Sequence, residues 1–142
     1  MNNYIEIKFN AISENEALAR NVISAFLLPL NPSIVELSDV KTSVSEAVTN
    51  CIVHGYPEKD GEVIMKAEIS GSDLHIIISD SGIGISDIKS ALEPFFTTKP
   101  DEDRSGMGFT IIKTFMDKVD VRSKINEGTV VDMIKHLNSI AK

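Results

Sequence analysis

The sequence has little that would support a disulfide scaffold, a membrane span or a basic surface. Only one of its 142 residues is cysteine, Cys51, which has no partner for an internal disulfide and suits a reducing compartment. The net charge of −7 argues against a nucleic-acid partner. The apolar runs fall far short of the ~20 residues that a membrane helix needs, and the first residues lack a signal-peptide pattern. We therefore expect a soluble cytoplasmic protein with no nucleic-acid or membrane partner.

The residues that are present suffice for one domain with a substantial core, since 42% of them are hydrophobic. Alternating polar and apolar residues predict strands over residues 4–9, 62–69, 74–79, 119–125 and 129–137. Helical spacing of apolar residues predicts helices over residues 13–28, 38–56, 87–92 and 106–118. This order favours an α+β fold, in which helices cover one face of a mixed or antiparallel sheet in a two-layer sandwich. We expect residues 1–142 to be a single domain.

The first predicted helix presents a candidate partner surface. Ser13 is expected to cap it. Its expected buried face consists of Ala17, Leu18, Val22, Phe26 and Leu27. Arg20 is the one cation of this helix and lies largely off that face. Arginine forms bidentate pairs with carboxylates, so Arg20 is a candidate anchor for a protein partner, although a solvated surface charge explains it equally well.

The second predicted helix carries a polar stripe of Glu46, Asn50 and His54. Four residues turn a helix by about 400°, so these side chains share one face, opposite the valines. A solvated helix surface is one interpretation. The other is a general base beside a magnesium ligand, because a carboxylate would stand one turn from a hard amide oxygen. His54 fits a supporting or packing role, and Cys51 fits a small buried hydrophobe.

The segment SDSGIGIS, residues 79–86, follows a predicted buried strand directly. Asp80 there is suited to accept a hydrogen bond from an exocyclic amine such as that of adenine. Gly82 and Gly84 would let the backbone pass close to a flat ring. An ordinary connection between a strand and a helix explains the same residues equally well.

A polar loop and a glycine pair precede the third long helix. Gly106 and Gly108 stand at its mouth, where unpaired N–H groups and the helix dipole favour phosphate, although flexible glycines alone give the same pattern. Residues 97–106 have no apolar period and are predicted to be a mobile loop that closes over a triphosphate. The hydroxyls and cations that this loop contributes are Thr97, Thr98, Lys99, Arg104 and Ser105.

Taken in order, these motifs carry a family resemblance. EAVTN on a helix, DSGIGI after a strand, PFFTTK, RSGMGF and the pair Gly128–Thr129 resemble the Bergerat-type ATP site of gyrase, the histidine kinases, the heat-shock chaperone and the mismatch-repair ATPases. Within that superfamily, SEAVTNCIVHGYP makes nearly the whole chain similar to the anti-sigma-factor serine kinases of spore-forming, Gram-positive bacteria.

The resemblance implies an ATP- and Mg²⁺-dependent protein serine kinase that is also an anti-sigma factor. It implies two protein partners: a sporulation sigma factor of the F type that is sequestered, and an anti-anti-sigma protein that is phosphorylated on serine. A homodimer is implied by the resemblance alone. Two alternatives remain, namely a sequestering module whose nucleotide only sets its shape, and an ATP-hydrolysing switch without kinase activity.

The resemblance also assigns roles to residues of this chain. Glu46 would be the catalytic base, Asn50 the magnesium ligand and Asp80 the acceptor for the adenine amine, with Thr129 supporting Asp80 through its hydroxyl. Gly82 and Gly84 would lie beside the ring. The residues expected along the phosphates are Thr97, Thr98, Lys99, Arg104, Ser105, Gly106, Met107 and Gly108.

The chain departs from the histidine kinases at Val53, where they place a lysine or arginine three residues after the asparagine. A positive charge near the phosphates would then have to come from Lys99 or Arg104. The chain also has no helical hairpin with a phosphoacceptor histidine, so a complete sensor histidine kinase is not expected.

Overall fold

A computed structural model describes residues 1–56, 60–85 and 108–138 of the protein. Its strands are β1 (Asn2–Asn10), β2 (Glu62–Ser70), β3 (Asp73–Asp80), β4 (Lys118–Lys124) and β5 (Gly128–His136). They form one five-stranded sheet in the order β1-β2-β3-β5-β4, in which every neighbouring pair is antiparallel. The helices are α1 (Glu14–Leu27), α2 (Ile34–Asn50) and α3 (Gly108–Phe115).

The helices and one face of the sheet enclose a single hydrophobic core. Inward-facing strand residues such as Met65, Ile76 and Met133 are fully buried with Ile23 of α1 and Val44 of α2. The predicted α+β sandwich is thus confirmed, with a sheet that is antiparallel rather than mixed. Within the described ranges, no helix has the length and apolar character to cross a membrane.

Two hairpins fix the register of the sheet. Ser70 pairs with Asp73 across a two-residue turn, in which Gly71 adopts a φ of +62°. Asn126, with a φ of 63°, lies in the turn between β4 and β5, as the sequence predicts. Because β3 also pairs with β5, the last residue of β3, Asp80, lies opposite Thr129.

α2 begins four residues before the predicted start at residue 38. Ser33 accepts a hydrogen bond from the backbone of Glu36, whose side chain accepts one from the backbone of Ser33 in return. The first apolar residues of α2, Ile34 and Val35, are exposed and do not belong to the buried stripe. The apolar spacing therefore begins late, which explains the wrong boundary.

α2 also ends differently from the prediction, which extends a regular helix to residue 56. The α-helix stops at Asn50, and a π turn spans Cys51–Gly55, closed by the Tyr56 N–H on the Cys51 carbonyl at 3.2 Å. Single π turns of this kind concentrate at functional sites. The buried position predicted for Cys51 is confirmed.

Two predictions about α1 need correction: the buried face, of which Phe26 and Leu27 are confirmed, and the cap at Ser13. Its buried residues are Ala19, Ile23, Phe26 and Leu27, whereas Leu18 is 47% exposed. Two apolar stripes overlap on this helix, and packing against α2, not the spacing, decides which one is buried. Ser13 has helical backbone angles and makes no side-chain cap. The predicted helix at residues 87–92 lies outside the described residues.

Candidate functional site

Asp80 is a carboxylate enclosed at the end of β3, where only 9% of its surface is exposed. Its Oδ1 accepts the backbone N–H of Gly82 at 2.9 Å. The Cys51 thiol and the backbone N–H of Thr129 lie close enough to this carboxylate to lower its pKa. The π turn, the segment that follows β3, and β5 therefore each bring a group close to this single carboxylate.

Burial dominates the electrostatics of this corner. It raises the pKa of Asp80 above the ordinary carboxyl value, and hydrogen bonds from Gly82, Cys51 and Thr129 offset part of that rise. Burial and then the neighbouring Asp80 charge raise the pKa of the Cys51 thiol well above its usual range. The thiol consequently stays protonated.

The glycines around Asp80 are required by close backbone contacts. A Cβ on Gly82 would lie 1.9 Å from the Gly55 carbonyl oxygen, and a Cβ on Gly55 would lie 2.9 Å from the Asp80 carboxyl carbon. Gly84 has a φ of +78°, and its Cβ would lie 2.3 Å from the Lys124 carbonyl oxygen. Packing against the protein therefore explains these glycines, and the passage of the backbone close to a flat ring stays a prediction.

The backbone after Asp80 is held by groups from distant parts of the chain. Ser81 N–H donates to the Tyr56 hydroxyl at 2.7 Å, and Ile83 N–H donates to the Gly55 carbonyl at 2.9 Å. Ile85 N–H donates to the Ser123 hydroxyl at 2.7 Å. We call residues 81–85 the corner loop.

Thr129 approaches Asp80 through its backbone, while its hydroxyl lies 2.8 Å from the Ser123 hydroxyl. Ser123 also donates to the Gly128 carbonyl at 3.0 Å. A hydroxyl-mediated support of Asp80 by Thr129 stays a prediction. The sequence does not predict three residues that hold the corner loop, namely Gly55, Tyr56 and Ser123. The motif HGYP gives a weak signal for the first two.

Glu46 and Asn50 of α2 meet the first residue of α3. A Cβ on Gly108 would lie 3.2 Å from Asn50 Nδ2, and 3.4 Å from both Asn50 Oδ1 and Glu46 Oε2. The structure therefore brings together three residues that the sequence singled out on separate elements. His54 lies in the π turn, so it does not continue the stripe at regular α-helical spacing.

Asn50 Nδ2 is buried and has no hydrogen-bond partner among the described residues. An unpaired buried amide is costly, which points to a ligand that completes the site. No group of three or more His, Cys, Asp or Glu side chains in the described ranges has the arrangement of a metal site. Magnesium needs no such cage when phosphate oxygens and water supply most ligands, and an asparagine oxygen is chemically suited to it.

Several predicted site residues lie outside the described part of the chain, together with the predicted loop 97–106. These residues are Thr97, Thr98, Lys99, Arg104, Ser105, Gly106 and Met107. Arg20 lies on α1, with its side chain 38% exposed. Its Nη1 lies 3.0 Å from Glu16 Oε1 and 3.4 Å from the Ser45 hydroxyl.

Comparison with known proteins identifies the family to which this geometry belongs. The histidine kinase-like ATPase domain family matches residues 9–135. An anti-sigma F factor from Thermoanaerobacter sp. (strain X514) is 50% identical over 137 residues, which cover 96% of each chain. The chain belongs to the anti-sigma F factor family.

Other members of the anti-sigma F factor family give the same result. The protein of that name from Anoxybacillus flavithermus is 49% identical, covering 96% of this chain and 94% of its own. The one from Clostridium kluyveri is 49% identical and covers 98% of both chains. The histidine kinase-like ATPase domain of the family implies that the chain binds ATP.

Solved structures support the fold of this anti-sigma F factor family member. The RsbU and RsbW domains of Rv1364c from Mycobacterium tuberculosis match with a TM-score of 0.68 at 14% identity, covering 95% of this chain and 32% of that one. The catalytic domain of histidine kinase ThkA matches with a TM-score of 0.60 at 16% identity, covering 95% and 96%. At these identities the likeness concerns the fold alone.

Proposed function

We propose that this protein is an ATP-dependent anti-sigma factor that binds a sporulation sigma factor and phosphorylates a serine of an anti-anti-sigma protein. Residues 1–142 would act as one kinase domain in the cytoplasm. The relatives named anti-sigma F factor support the sigma-factor partner. The serine acceptor and the anti-anti-sigma partner rest on the motif resemblance.

The observation that carries the kinase proposal is that Glu46 and Asn50 both approach Gly108. The buried Nδ2 of this same Asn50 has no partner among the described residues. A site that only set the shape of the protein would need no carboxylate there. Gly108 is the first residue of α3, and backbone N–H groups at the start of a helix favour phosphate oxygens. Binding and proton transfer can therefore occur at one place.

In this proposal Asp80 accepts a hydrogen bond from the adenine amine, and the corner loop lies beside the ring. The serine oxygen forms a bond to the γ-phosphorus while the bond between that phosphorus and the leaving oxygen of ADP breaks. Glu46 accepts the proton of the serine hydroxyl in this step. Asn50 would hold Mg²⁺, which when bound would neutralise charge on the phosphates. The roles of Thr129 and of the phosphate-side residues from Thr97 to Gly108 stay predictions.

Arg20 is proposed as a contact for a partner carboxylate. In the free protein it is paired with Glu16, one turn earlier on α1. The pair is partly exposed, so a partner carboxylate would add to or replace it at little cost. Arg20→Glu should weaken partner binding and leave the affinity for ADP unchanged. Unchanged binding to both partners would remove this proposal.

A homodimer through the edge of the sheet is also proposed. β1 is an edge strand, and no other strand of the described sheet lies beside its outer edge. If two copies of β1 paired antiparallel around Ile7, the exposed Glu6 of one copy would face the exposed Lys8 of the other. Glu6→Lys should weaken the dimer in sedimentation experiments, and adding Lys8→Glu should restore it. Loss of the dimer in the double variant would exclude this pairing.

The kinase proposal is tested with ATP carrying a labelled γ-phosphate, incubated with and without the candidate acceptor protein. Label on a serine of the acceptor supports the kinase. Free labelled phosphate that forms without the acceptor identifies an ATP-hydrolysing switch. Bound ATP that stays intact in both incubations identifies a sequestering module. Either of the last two results contradicts the proposed transfer.

A further inference from the structure

Tyr56 lies beneath the corner loop, and neither the resemblance nor the proposed mechanism gives it a role. It directly follows the π turn, and only 7% of its surface is exposed. Its hydroxyl accepts the Ser81 N–H at 2.7 Å and donates to the Glu62 carbonyl at 2.8 Å. One side-chain oxygen thus joins the first residue of β2 to the first residue of the corner loop.

The hydroxyl occupies the place of a backbone hydrogen bond. In an antiparallel hairpin, every second residue pair exchanges two backbone hydrogen bonds. Counting from the Ser70–Asp73 pair at the turn, the pair after Val63–Asp80 would be Glu62–Ser81 and would be of this kind. In the structure, the Tyr56 hydroxyl stands between the Ser81 N–H and the Glu62 carbonyl, which would otherwise bond directly. It therefore ends the β2–β3 ladder at Asp80.

Ending the ladder there determines the shape of the corner. Beyond Asp80 the backbone turns away from β2, so that Gly82 N–H reaches Asp80 Oδ1 and Ile83 N–H reaches the Gly55 carbonyl. A direct bond from Ser81 to Glu62 would draw the start of the loop toward β2 and away from these partners. The hydroxyl is therefore a spacer that keeps Ser81 and Glu62 apart while it forms a hydrogen bond with each of them.

We propose that Tyr56 is a positioning residue for adenine selection, because its spacer hydroxyl fixes the direction in which Asp80 faces the nucleotide. This inference rests on the proposed role of Asp80 as the acceptor for the adenine amine. Tyr56 does not touch the nucleotide; it acts through Ser81 and Asp80.

Gly61 gives a second, independent connection to the same hydroxyl. A Cβ on Gly61 would lie 2.3 to 2.4 Å from three ring carbons of Tyr56. The Gly61 carbonyl is itself held by the Ala11 N–H at 2.8 Å, so the backbone has little freedom to retreat. Gly61→Ala should therefore displace the ring and its hydroxyl without removing either hydrogen-bonding atom.

The test compares Tyr56→Phe with Tyr4→Phe, which removes the hydroxyl of the only other tyrosine, an exposed residue that donates to Glu6. Affinities for ADP and for inosine diphosphate are measured by calorimetry, with circular dichroism as a check on folding. Inosine carries an oxygen where adenine carries its amine, so the ratio of the two affinities reports the Asp80 contact. Using diphosphates keeps the result independent of phosphoryl transfer.

We expect Tyr56→Phe to weaken ADP binding about ten-fold, which corresponds to about 1.4 kcal/mol, and to leave inosine diphosphate binding within about two-fold. Gly61→Ala should shift the ratio in the same direction, and Tyr4→Phe should not shift it. A folded Tyr56→Phe protein with the wild-type ratio would overturn the inference, because a purely structural hydroxyl would change stability alone.

Asp80→Asn separates the failure of this inference from failure of the proposed function. If wild type prefers ADP and Asp80→Asn does not, the role of Asp80 holds and the Tyr56 result stands by itself. If wild type shows no preference, the role of Asp80 fails and the inference fails with it. Should Tyr56→Phe not fold, amide hydrogen exchange of nucleotide-free wild type decides: a protected Ser81 amide supports the spacer, and exchange at the rate of an unstructured amide contradicts it.

Discussion

The two halves of the proposed ATP site differ in how fully their polar groups are satisfied. At the adenine corner, Asp80 accepts the Gly82 N–H, and the N–H groups of Ser81, Ile83 and Ile85 each have a protein acceptor. On the phosphate side, the buried Asn50 Nδ2 has no partner among the described residues. These backbone groups of the corner are satisfied without a ligand, whereas Asn50 Nδ2 is not.

This difference indicates a division of labour. A corner built from fixed backbone contacts binds a flat base with little reorganisation, which favours affinity and selectivity. A side with an unsatisfied amide next to a carboxylate is suited to groups that change charge during reaction. Substitutions at the corner should therefore change binding, and substitutions on the phosphate side should change the rate of transfer.

The largest expected effect is that of Glu46→Gln on phosphorylation of the acceptor. Loss of general-base assistance lowers the rate by about 10²–10⁴-fold. The affinity for ADP should not change, because the corner contacts remain. Glu68→Gln, on an exposed residue of β2, is the matched control. A wild-type rate in Glu46→Gln would return the polar stripe of α2 to an ordinary helix surface.

Asp80→Asn should have the next largest effect, on nucleotide affinity. Donors from Gly82, Cys51 and Thr129 surround the carboxylate, so an amide nitrogen would face at least one of them. We expect ADP binding to weaken by about 1–3 kcal/mol. The preference for adenine over guanine nucleotides should be lost as well. Asp120→Asn, on the outer side of the sheet, is the control. Retained preference for adenine in Asp80→Asn would exclude Asp80 as the selecting group.

The affinity for ADP should depend on pH through Asp80. Only the ionised carboxylate accepts the adenine amine fully, so affinity should fall as pH drops through the raised pKa of Asp80. The stability of the free protein should change in the opposite sense. A carboxyl group whose pKa is raised by folding stabilises the fold at low pH and loses that contribution as pH rises through the folded pKa.

Calorimetry and urea unfolding over this pH range, on wild type and Asp80→Asn, measure both effects. The variant should lack both pH dependences. An identical pH profile in the two proteins would assign the titration to another group.

Cys51→Ala should have the smallest effect. The thiol lies close enough to Asp80 to lower its pKa, and a single hydrogen bond would contribute about 0.5–1.5 kcal/mol. We expect ADP binding to weaken by a few fold at most, and the pKa of Asp80 to rise further. Cys51→Ser should recover most of the affinity because it restores a donor. Equal losses in both variants would indicate a packing effect instead.

The sequence predicted the fold class, and it predicted Asp80 and Gly82 at the end of a buried strand, because these features depend on local patterns. It did not predict Tyr56 or Ser123 as supports of the corner loop. Their partners lie 25 and 38 residues away in the chain, at Ser81 and Ile85, so only the tertiary fold brings them together.

The wrong boundary and burial predictions have a related cause. α1 has two apolar stripes of similar quality, and only packing against α2 decides that Ile23 is buried and Leu18 is not. The π turn after Asn50 follows from no local spacing, since the apolar pattern alone continues as a regular helix. These errors fall where tertiary contacts override local preference.

The central claim is that the adenine corner binds the nucleotide and the Glu46–Asn50 side transfers its phosphoryl group. One comparison tests it directly: the Kd for ADP and the single-turnover transfer rate at saturating ATP, measured on wild type, Asp80→Asn and Glu46→Gln. The account predicts a raised Kd with a rate close to wild type for Asp80→Asn. For Glu46→Gln it predicts a wild-type Kd with a rate lower by about 10²–10⁴-fold. If Kd and rate change together in both variants, the two regions do not have separate roles and the account is contradicted.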